Sequence, residues 1–434
     1  MEEEFFQLGL IELRGRLLRR ELSVRECTAA ILDRIARRNG ELNAFIYVDI
    51  EGALQTAAEL DALPDEARQR LPLFGVPVAV KDLIDQRGLV TTAASRVLQN
   101  AAPAAEDAPS VARLRRAGAV LVGKTNLHEF AYGGSGAVSA YGAVRNPLDP
   151  SRVCGGSSSG SAAAVSAGFC LGALGTDTAG SIRLPAACCS VVGFKPTHGV
   201  VPAAGVIPLA YSYDHVGPIA RSVEDAALLF SVLRDEPLVM PPAHNLRCGV
   251  ARKYFCDDLA PEVARGFETA LDAARSLGWQ LQEVELEVSE DRLASNAESW
   301  AYHEKLVAAH HEFYQPATLQ RLRNGRGIRM EDYVEARRAL DLFRERNRRC
   351  PSGVDVVLTP TSPILPPTID EFSSPQARAR ELMMLRNTRP FNVLGWPTVT
   401  IPVAPMVGVQ LSAGWNCDEL ALAASYAIDC VNKG

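Results

Sequence analysis

Two glycine-rich segments carry the serines best placed to do chemistry. They are Cys154-Gly155-Gly156-Ser157-Ser158-Ser159-Gly160-Ser161 and Gly175-Thr176-Asp177-Thr178-Ala179-Gly180-Ser181-Ile182-Arg183-Leu184-Pro185. Glycine lets such loops take positive φ or approach a ligand closely, and successive N–H groups can converge on an anion. Upstream, the apolar run from Gly75 to Val80 ends in Lys81 and Asp82. A buried ammonium is costly, so it either finds a carboxylate or gives up its proton and becomes a base. Two readings therefore stand side by side: a Lys81–Asp82 pair at a strand end, or a neutral lysine serving a serine, whose hydroxyl is a poor nucleophile until a base takes its proton.

Other chemistries fit less well. Gly156-Ser157-Ser158-Ser159-Gly160 satisfies G-x-S-x-G, which would make Ser158 the nucleophile of a hydrolase elbow. That arrangement needs a downstream acid and histidine, and His303, His310 and His311 lack a recognisable setting. No Gly-Lys-[Ser/Thr] follows the loop, so it is not a phosphate-binding P-loop. His128-Glu129 lacks the second histidine of a zinc motif. His198 and His215 read as hydrogen-bonded structural residues, and neither a metal nor a cofactor is implied.

Taken in chain order, these segments resemble the amidase signature family of serine hydrolases. The likeness rests on Gly75-Val76-Pro77…Lys81-Asp82, the Gly155–Ser161 loop and the Thr176–Pro185 turn, with Ser157 and Ser181 spaced 24 residues apart. It continues through Gly123-Lys124-Thr125-Asn126, Arg145-Asn146-Pro147, Gly193-Phe194-Lys195-Pro196-Thr197 and Asp214-His215-Val216-Gly217-Pro218, covering about Leu73 to Ala227. The resemblance implies Ser181 as nucleophile, Ser157 as a bridging serine after a cis peptide bond, and Lys81 as base. Bringing a lysine from ~10.4 to ~7 costs roughly 4–5 kcal/mol, which burial and neighbours must supply. The small-residue turn Thr178, Ala179, Gly180 and Ser181 offers backbone N–H groups for an oxyanion, and Asp177 with Arg183 reads as its support. Ser135, Thr178 and the 206–213 loop, with Tyr211 and Tyr213, are expected to line the substrate pocket. Ser159 and Ala179 stand where the family usually or often has glycine, which strains the loops if either position needs φ > 0.

These residues need a scaffold. Residues 5–70 read as helical, with a capping box at Ser23-Val24-Arg25-Glu26 and an apolar stripe through Ile31 and Ile35. Pro109 to Gly118 reads as a helix leading into a strand at Ala119–Val122. Pro261 to Leu286 repeats that rhythm, with a strand over Leu281, Val284 and Leu286. Ala162 to Leu174 looks helical, and Asp355 to Pro363 and Trp396 to Pro402 return as strands. Alternation of helices and short apolar strands predicts an α/β protein with a buried, mixed central sheet covered by helices on both faces. One large domain is expected over 1–434, with N-terminal helices (1–70), a catalytic core (71–235), a loop at Glu236–Asn245, a helix-rich segment (246–350) and a return to the sheet (351–434).

Composition narrows the function. The 434 residues are 47% hydrophobic, enough for a large core, and a net charge of −6 argues against general nucleic-acid affinity. Residues 319–350 hold ten arginines against five acids, expected as a solvated face with pairs such as Glu335–Arg338 and Glu345–Arg349. The opening Met1-Glu2-Glu3-Glu4 lacks a basic signal-peptide region, no apolar run is long enough to span a membrane, and ten scattered cysteines suit reduced thiols, so a cytoplasmic protein is expected. The reading is a cofactor-free hydrolase cleaving a carbonyl C–N bond in a small amide, carbamate or urea-like substrate, as a homodimer or with a small partner subunit. Its alternatives are a glutamyl-tRNA amidotransferase A-like glutaminase subunit working with partners, and a non-catalytic scaffold.

Overall fold

Thirteen strands organise the computed structural model, which describes residue 6 and residues 8–433; the opening Met1–Glu4 lies outside the described residues. In chain order they are β1 (Phe45–Val48), β2 (Pro77–Lys81), β3 (Val120–Thr125), β4 (Arg145–Asn146), β5 (Asp149–Val153), β6 (Gly172–Asp177), β7 (Val192–Lys195), β8 (His215–Ala220), β9 (Arg247–Val250), β10 (Gln280–Glu283), β11 (Val356–Pro360), β12 (Thr398–Ala404) and β13 (Val407–Ala413). Eleven of them form one mixed sheet in the order β1-β3-β2-β6-β8-β7-β12-β13-β11-β9-β10, and β4 pairs with β5 apart from it. Every residue of β2, β3 and β6 is buried. These strands therefore read as continuous apolar or small-residue runs rather than alternating ones.

Helices cover both faces. At the start of β13, a side chain on Gly266 of helix Pro261–Ser276 would meet Val407, whereas one on the next strand residue, Gly408, would meet Ala187 of helix Arg183–Cys188. Successive strand residues point to opposite faces, so the two helices sandwich the sheet. The fold is the α/β architecture expected from the sequence.

The parallel neighbours β2 and β6 matter most for chemistry. Their register pairs Val78 with Gly172, Ala79 with Ala173 and Val80 with Leu174. Their carboxyl ends thus deliver Lys81 beside the Thr176-Asp177 end of β6, where α/β sheets commonly place ligands.

Several local expectations are corrected. The 5–70 stretch is not wholly helical: Asn43, at φ 55°, ends the capped helix Val24–Leu42, and β1 then pairs antiparallel with β3. The helix expected over Ala162–Leu174 runs instead over Ser159–Ser166. Gly168 at φ 70° stops it, and Gly172 onward becomes β6 because pairing with β2 and β8 outweighs local helix propensity. The strand expected to reach Leu286 ends at Glu283, at the edge of the sheet. Among the described residues, the pairs formed within the arginine-rich segment are Arg329–Asp332, Arg337–Asp341 and Arg348–Glu345 rather than the two expected, while Arg346 pairs outside it with Glu287 and Arg321 with Glu381. Arg344 turns inward instead, donating to the Val393, Ser212 and Asn392 carbonyls. All ten cysteines are free thiols.

Candidate active site

Lys81 is fully buried and has no carboxylate partner among the described residues. Its Nζ donates to Ser157 Oγ at 2.8 Å and to Thr176 Oγ1 at 2.7 Å. The Lys81–Asp82 pairing does not form, because Asp82 bonds Lys124 at 3.0 Å and takes the Thr92 N–H. Burial brings Lys81 down to about 7, with Asp177 and Asp214 opposing at longer range. A lysine held at that value is neutral for much of the time near neutral pH and can accept a proton.

Ser157 follows a cis peptide bond after Gly156, as the resemblance implied. The two serine loops lock together through the Ser158 N–H, which donates to the Ser181 carbonyl at 3.1 Å. Ser158 itself is no candidate nucleophile. Its hydroxyl donates to the Thr176 carbonyl and accepts from the Thr176 N–H, both at 3.2 Å, so it is spent on tying its loop to β6. On its other side the loop packs against the chain around β1 and β3, where a side chain on Gly160 would collide with the backbone of Ala44 and Asn126.

The turn carrying Ser181 is braced from beneath. Asp177 accepts from the N–H of Gly180 (2.7 Å) and Ile182 (3.1 Å), from Arg183 Nε (3.0 Å) and from Asn392 Nδ2 (2.7 Å). Arg183 is also fully buried and reaches the Thr388 carbonyl, Gln410 and Asn392. Burial alone would raise the Asp177 carboxyl, but Arg183 and Lys195 hold it at about 2. Both residues support the turn, as expected. One expectation changes: the Gly180 N–H is taken by Asp177 and does not face the pocket. Thr178, Ala179 and Ser181 keep N–H groups that make no hydrogen bond among the described residues. Neither Ser159 nor Ala179 is at positive φ, so replacing glycine there carries no backbone strain.

Ser181 is 4% exposed and opens onto a cavity of about 480 Å³, which Thr178 and Ala179 also line. The remaining pocket expectations divide. Tyr213 lines the cavity, whereas Tyr211 points away at 65% exposure; the two alternate about Ser212, whose hydroxyl and N–H are held by Glu298. Ser135 is fully buried behind the loop, its hydroxyl near His128 Nδ1 and the Ala137 N–H, and does not line the cavity.

The sequence reading missed Thr176, Asp214, Thr388, Asn392 and five cavity arginines. Asp214 is buried, accepts from Thr178 Oγ1 and the N–H groups of Leu209 and Ala210, and is pushed up to about 7 by burial. Thr176 and Asp214 sit inside motifs already singled out, so a signal was present. Thr388 and Asn392 lie more than 200 residues from the turn they hold, and nothing in their local sequence marks them.

The amidase family model matches residues 26–422. The chain belongs to the amidase family. Among curated proteins it is similar to the A subunit of glutamyl-tRNA(Gln) amidotransferase from Roseiflexus sp. (strain RS-1), 35% identical over 450 residues that cover 93% of this chain and 91% of that one. The corresponding protein of Syntrophobacter fumaroxidans is 42% identical over 299 residues, 65% of this chain and 61% of the relative's length. Among solved structures, an amidase superposes with TM-score 0.89 at 34% identity, covering 98% of this chain and 99% of that one. An inhibitor-bound vestigial protein complex, described as revealing the evolutionary origins of an s-triazine catabolic enzyme, gives 0.86 at 29% identity, covering 98% of each. Membership in the amidase family indicates a hydrolase or amidotransferase acting on carbon–nitrogen bonds. No helix among the described residues is long and apolar enough to cross a membrane.

Proposed function

We propose that this amidase-family protein hydrolyses a carbonyl C–N bond in a small amide, carbamate or urea-like substrate through an acyl-enzyme on Ser181. The observation that carries this reading is the buried Lys81 amine, 2.8 Å from Ser157 Oγ and without a carboxylate partner among the described residues. Ser181 Oγ attacks the carbonyl carbon, its proton passes to Ser157 Oγ, and the Ser157 proton passes to Lys81 Nζ. The free N–H groups of the Ser181 turn receive the oxyanion, each such donor being worth about 3–4 kcal/mol in the transition state. Run in reverse, the relay protonates the departing nitrogen as the C–N bond breaks. Water then enters, loses a proton to the same relay and releases the acid, regenerating Ser181.

A second reading is favoured by the curated relatives, which are named as amidotransferase A subunits. In it the same acyl-enzyme forms from glutamine and the released ammonia is used by a partner. A partner protein for a hydrolase is likewise supported by the likeness to a protein solved as a complex.

Intact mass after a fluorophosphonate probe, with peptide mapping, tests the chemistry. One adduct on Ser181, lost in Ser181→Ala and slowed in Lys81→Ala, is expected. An adduct elsewhere, or none, overturns it. Turnover of simple amides by the isolated chain supports the hydrolase; ammonia release from glutamine only with a partner present supports the amidotransferase reading.

A further inference from the structure

The cavity beyond Ser181 has a one-sided charge. Five arginines line it (Arg292, Arg321, Arg378, Arg386 and Arg389) against one carboxylate, Glu290, which already accepts from the Tyr254 hydroxyl at 3.3 Å. Buried just behind, Glu381 adds a second carboxylate but is shared between Arg321 at 2.6 Å and Arg378 at 2.8 Å, and it also takes the Gly134 N–H. Arg386 is engaged with Asn387 Oδ1 and the Asp257 carbonyl. Among the described residues Arg386 therefore has no carboxylate partner, and neither do Arg292 and Arg389, which are less fully engaged. Among the described residues Arg389 donates only to the Ser289 and Asp291 carbonyls, and the Arg292 guanidinium makes no hydrogen bond or ion pair, with Glu290 attracting it only at longer range. Burial and repulsion from Arg292 lower Arg389, so the pair is held together at a cost.

An uncompensated cluster of guanidiniums in a concave site favours an anion, and arginine forks match a carboxylate with two parallel hydrogen bonds. The pocket is part apolar as well, with Leu382, Met383 and Val393 in its wall, which suits a short carbon chain. We infer that the cavity is built for a mono-anionic amide, a half-amide of a short dicarboxylic acid, whose free carboxylate is held by Arg292 and Arg389 while its amide carbonyl lies at Ser181. The assignment rests on the hydrolase reading of Ser181 for its chemistry, but not for its binding. The single, already engaged Glu290 also sets the site against a zwitterion: an α-ammonium would have to be desolvated among arginines.

Binding to the full-length Ser181→Ala protein by calorimetry separates the two claims. Glutaramate, the mono-anion, and glutaramide, its neutral diamide, differ only in the distal group. Glutaramate is expected to bind about tenfold or more tightly, with the gap shrinking as salt is added. Arg292→Gln, which removes no side-chain hydrogen bond or ion pair among the described residues, and Arg389→Gln should each shrink the gap several-fold, with melting temperatures confirming folded protein. Equal affinities, a preference for glutaramide, tighter binding of L-glutamine than of glutaramate, or no binding of any of them at millimolar concentration overturns the inference. Fluorophosphonate labelling of the wild type is the independent arm. A labelled Ser181 with no charge preference sinks the anionic pocket alone, whereas a clear charge preference without labelling sinks the hydrolase alone.

Discussion

Lys81 Nζ lies 2.7 Å from Thr176 Oγ1, so the proposed base is held by a second hydroxyl on the neighbouring parallel strand as well as by Ser157. That hydroxyl accepts from the ammonium form and stabilises it. Activity requires the neutral amine, so kcat/KM should rise about tenfold per pH unit below ~7 and level off above, with Lys81 at about 7. Thr176→Val removes one acceptor for the charged form and should move the acid limb to lower pH while reducing the plateau through looser positioning. A pH profile whose limb stays put or moves up would exclude Lys81 as the titrating group.

Ser157 offers a sharper separation of roles. Ser157→Ala leaves the nucleophile and the turn donors in place but cuts the path between Ser181 and Lys81. A loss of roughly 10²–10⁴ in kcat is expected, with KM little changed, because proton transfer acts in the transition state. Steady-state kinetics on an amide substrate gives the answer, and a pure KM effect would make Ser157 a structural residue.

Stability should carry two opposed pH slopes. Asp214 has its folded value raised to about 7 against an unfolded value near 3.9, so the native state binds more protons between those limits. Its contribution is fully present below pH ~4 and is lost as pH rises to ~7. Lys81 is the reverse. With a folded value of about 7 and an unfolded value near 10.4, the unfolded chain binds more protons in between, so this group's contribution improves from pH ~7 to ~10. Urea unfolding from pH 4.5 to 7 compares wild type with Asp214→Asn. The variant is less stable overall, because an amide NH₂ then faces backbone N–H donors, but its stability should fall less over this range. Parallel slopes would mean that Asp214 ionises normally.

What the sequence disclosed follows from where the determinants lie. Lys81, Ser157 and Ser181 are each embedded in short runs whose glycines and small residues are required locally, so their motifs are visible without a structure. The capped helix at Ser23 and the apolar strands that end at Lys81 and run through Val122 are equally local. The extent of β6 was hidden, because Gly172–Asp177 has no strand propensity of its own and is extended only through pairing with β2 and β8. The brace around Asp177 was hidden for a related reason: Asn392, Thr388 and Gln410 reach it from distant elements. Arg321 was read with its solvated neighbours because linear charge density does not reveal which arginine turns toward a cavity.

The Asp177–Arg183 pair tests that brace. Both side chains are fully buried and each satisfies several partners, so removing one leaves an uncompensated charge and orphaned donors or acceptors. Arg183→Met should cost about 3–5 kcal/mol in stability and abolish labelling of Ser181. Since the carboxylate would then be neutralised by protonation, part of the lost stability should return on acidification. A variant that unfolds at the wild-type urea midpoint would show that the pair is dispensable.

Gly180 tests the turn from its other side. Its φ is +129°, where a side chain is strained, and a Cβ there would collide with the Thr388 side chain. Thr388 Oγ1 is itself bonded to the Ala179 carbonyl at 2.7 Å, so it cannot retreat without releasing the peptide that precedes Gly180. Gly180→Ala should therefore displace the Ser181 N–H from the cavity and slow fluorophosphonate labelling by about 10² or more, the scale of losing one oxyanion donor. Adding Thr388→Gly removes the collision but not the strain at φ, so labelling should recover only in part. Full recovery would assign the whole effect to crowding, and no loss in the single variant would mean that the turn bends freely and its donors are not preorganised.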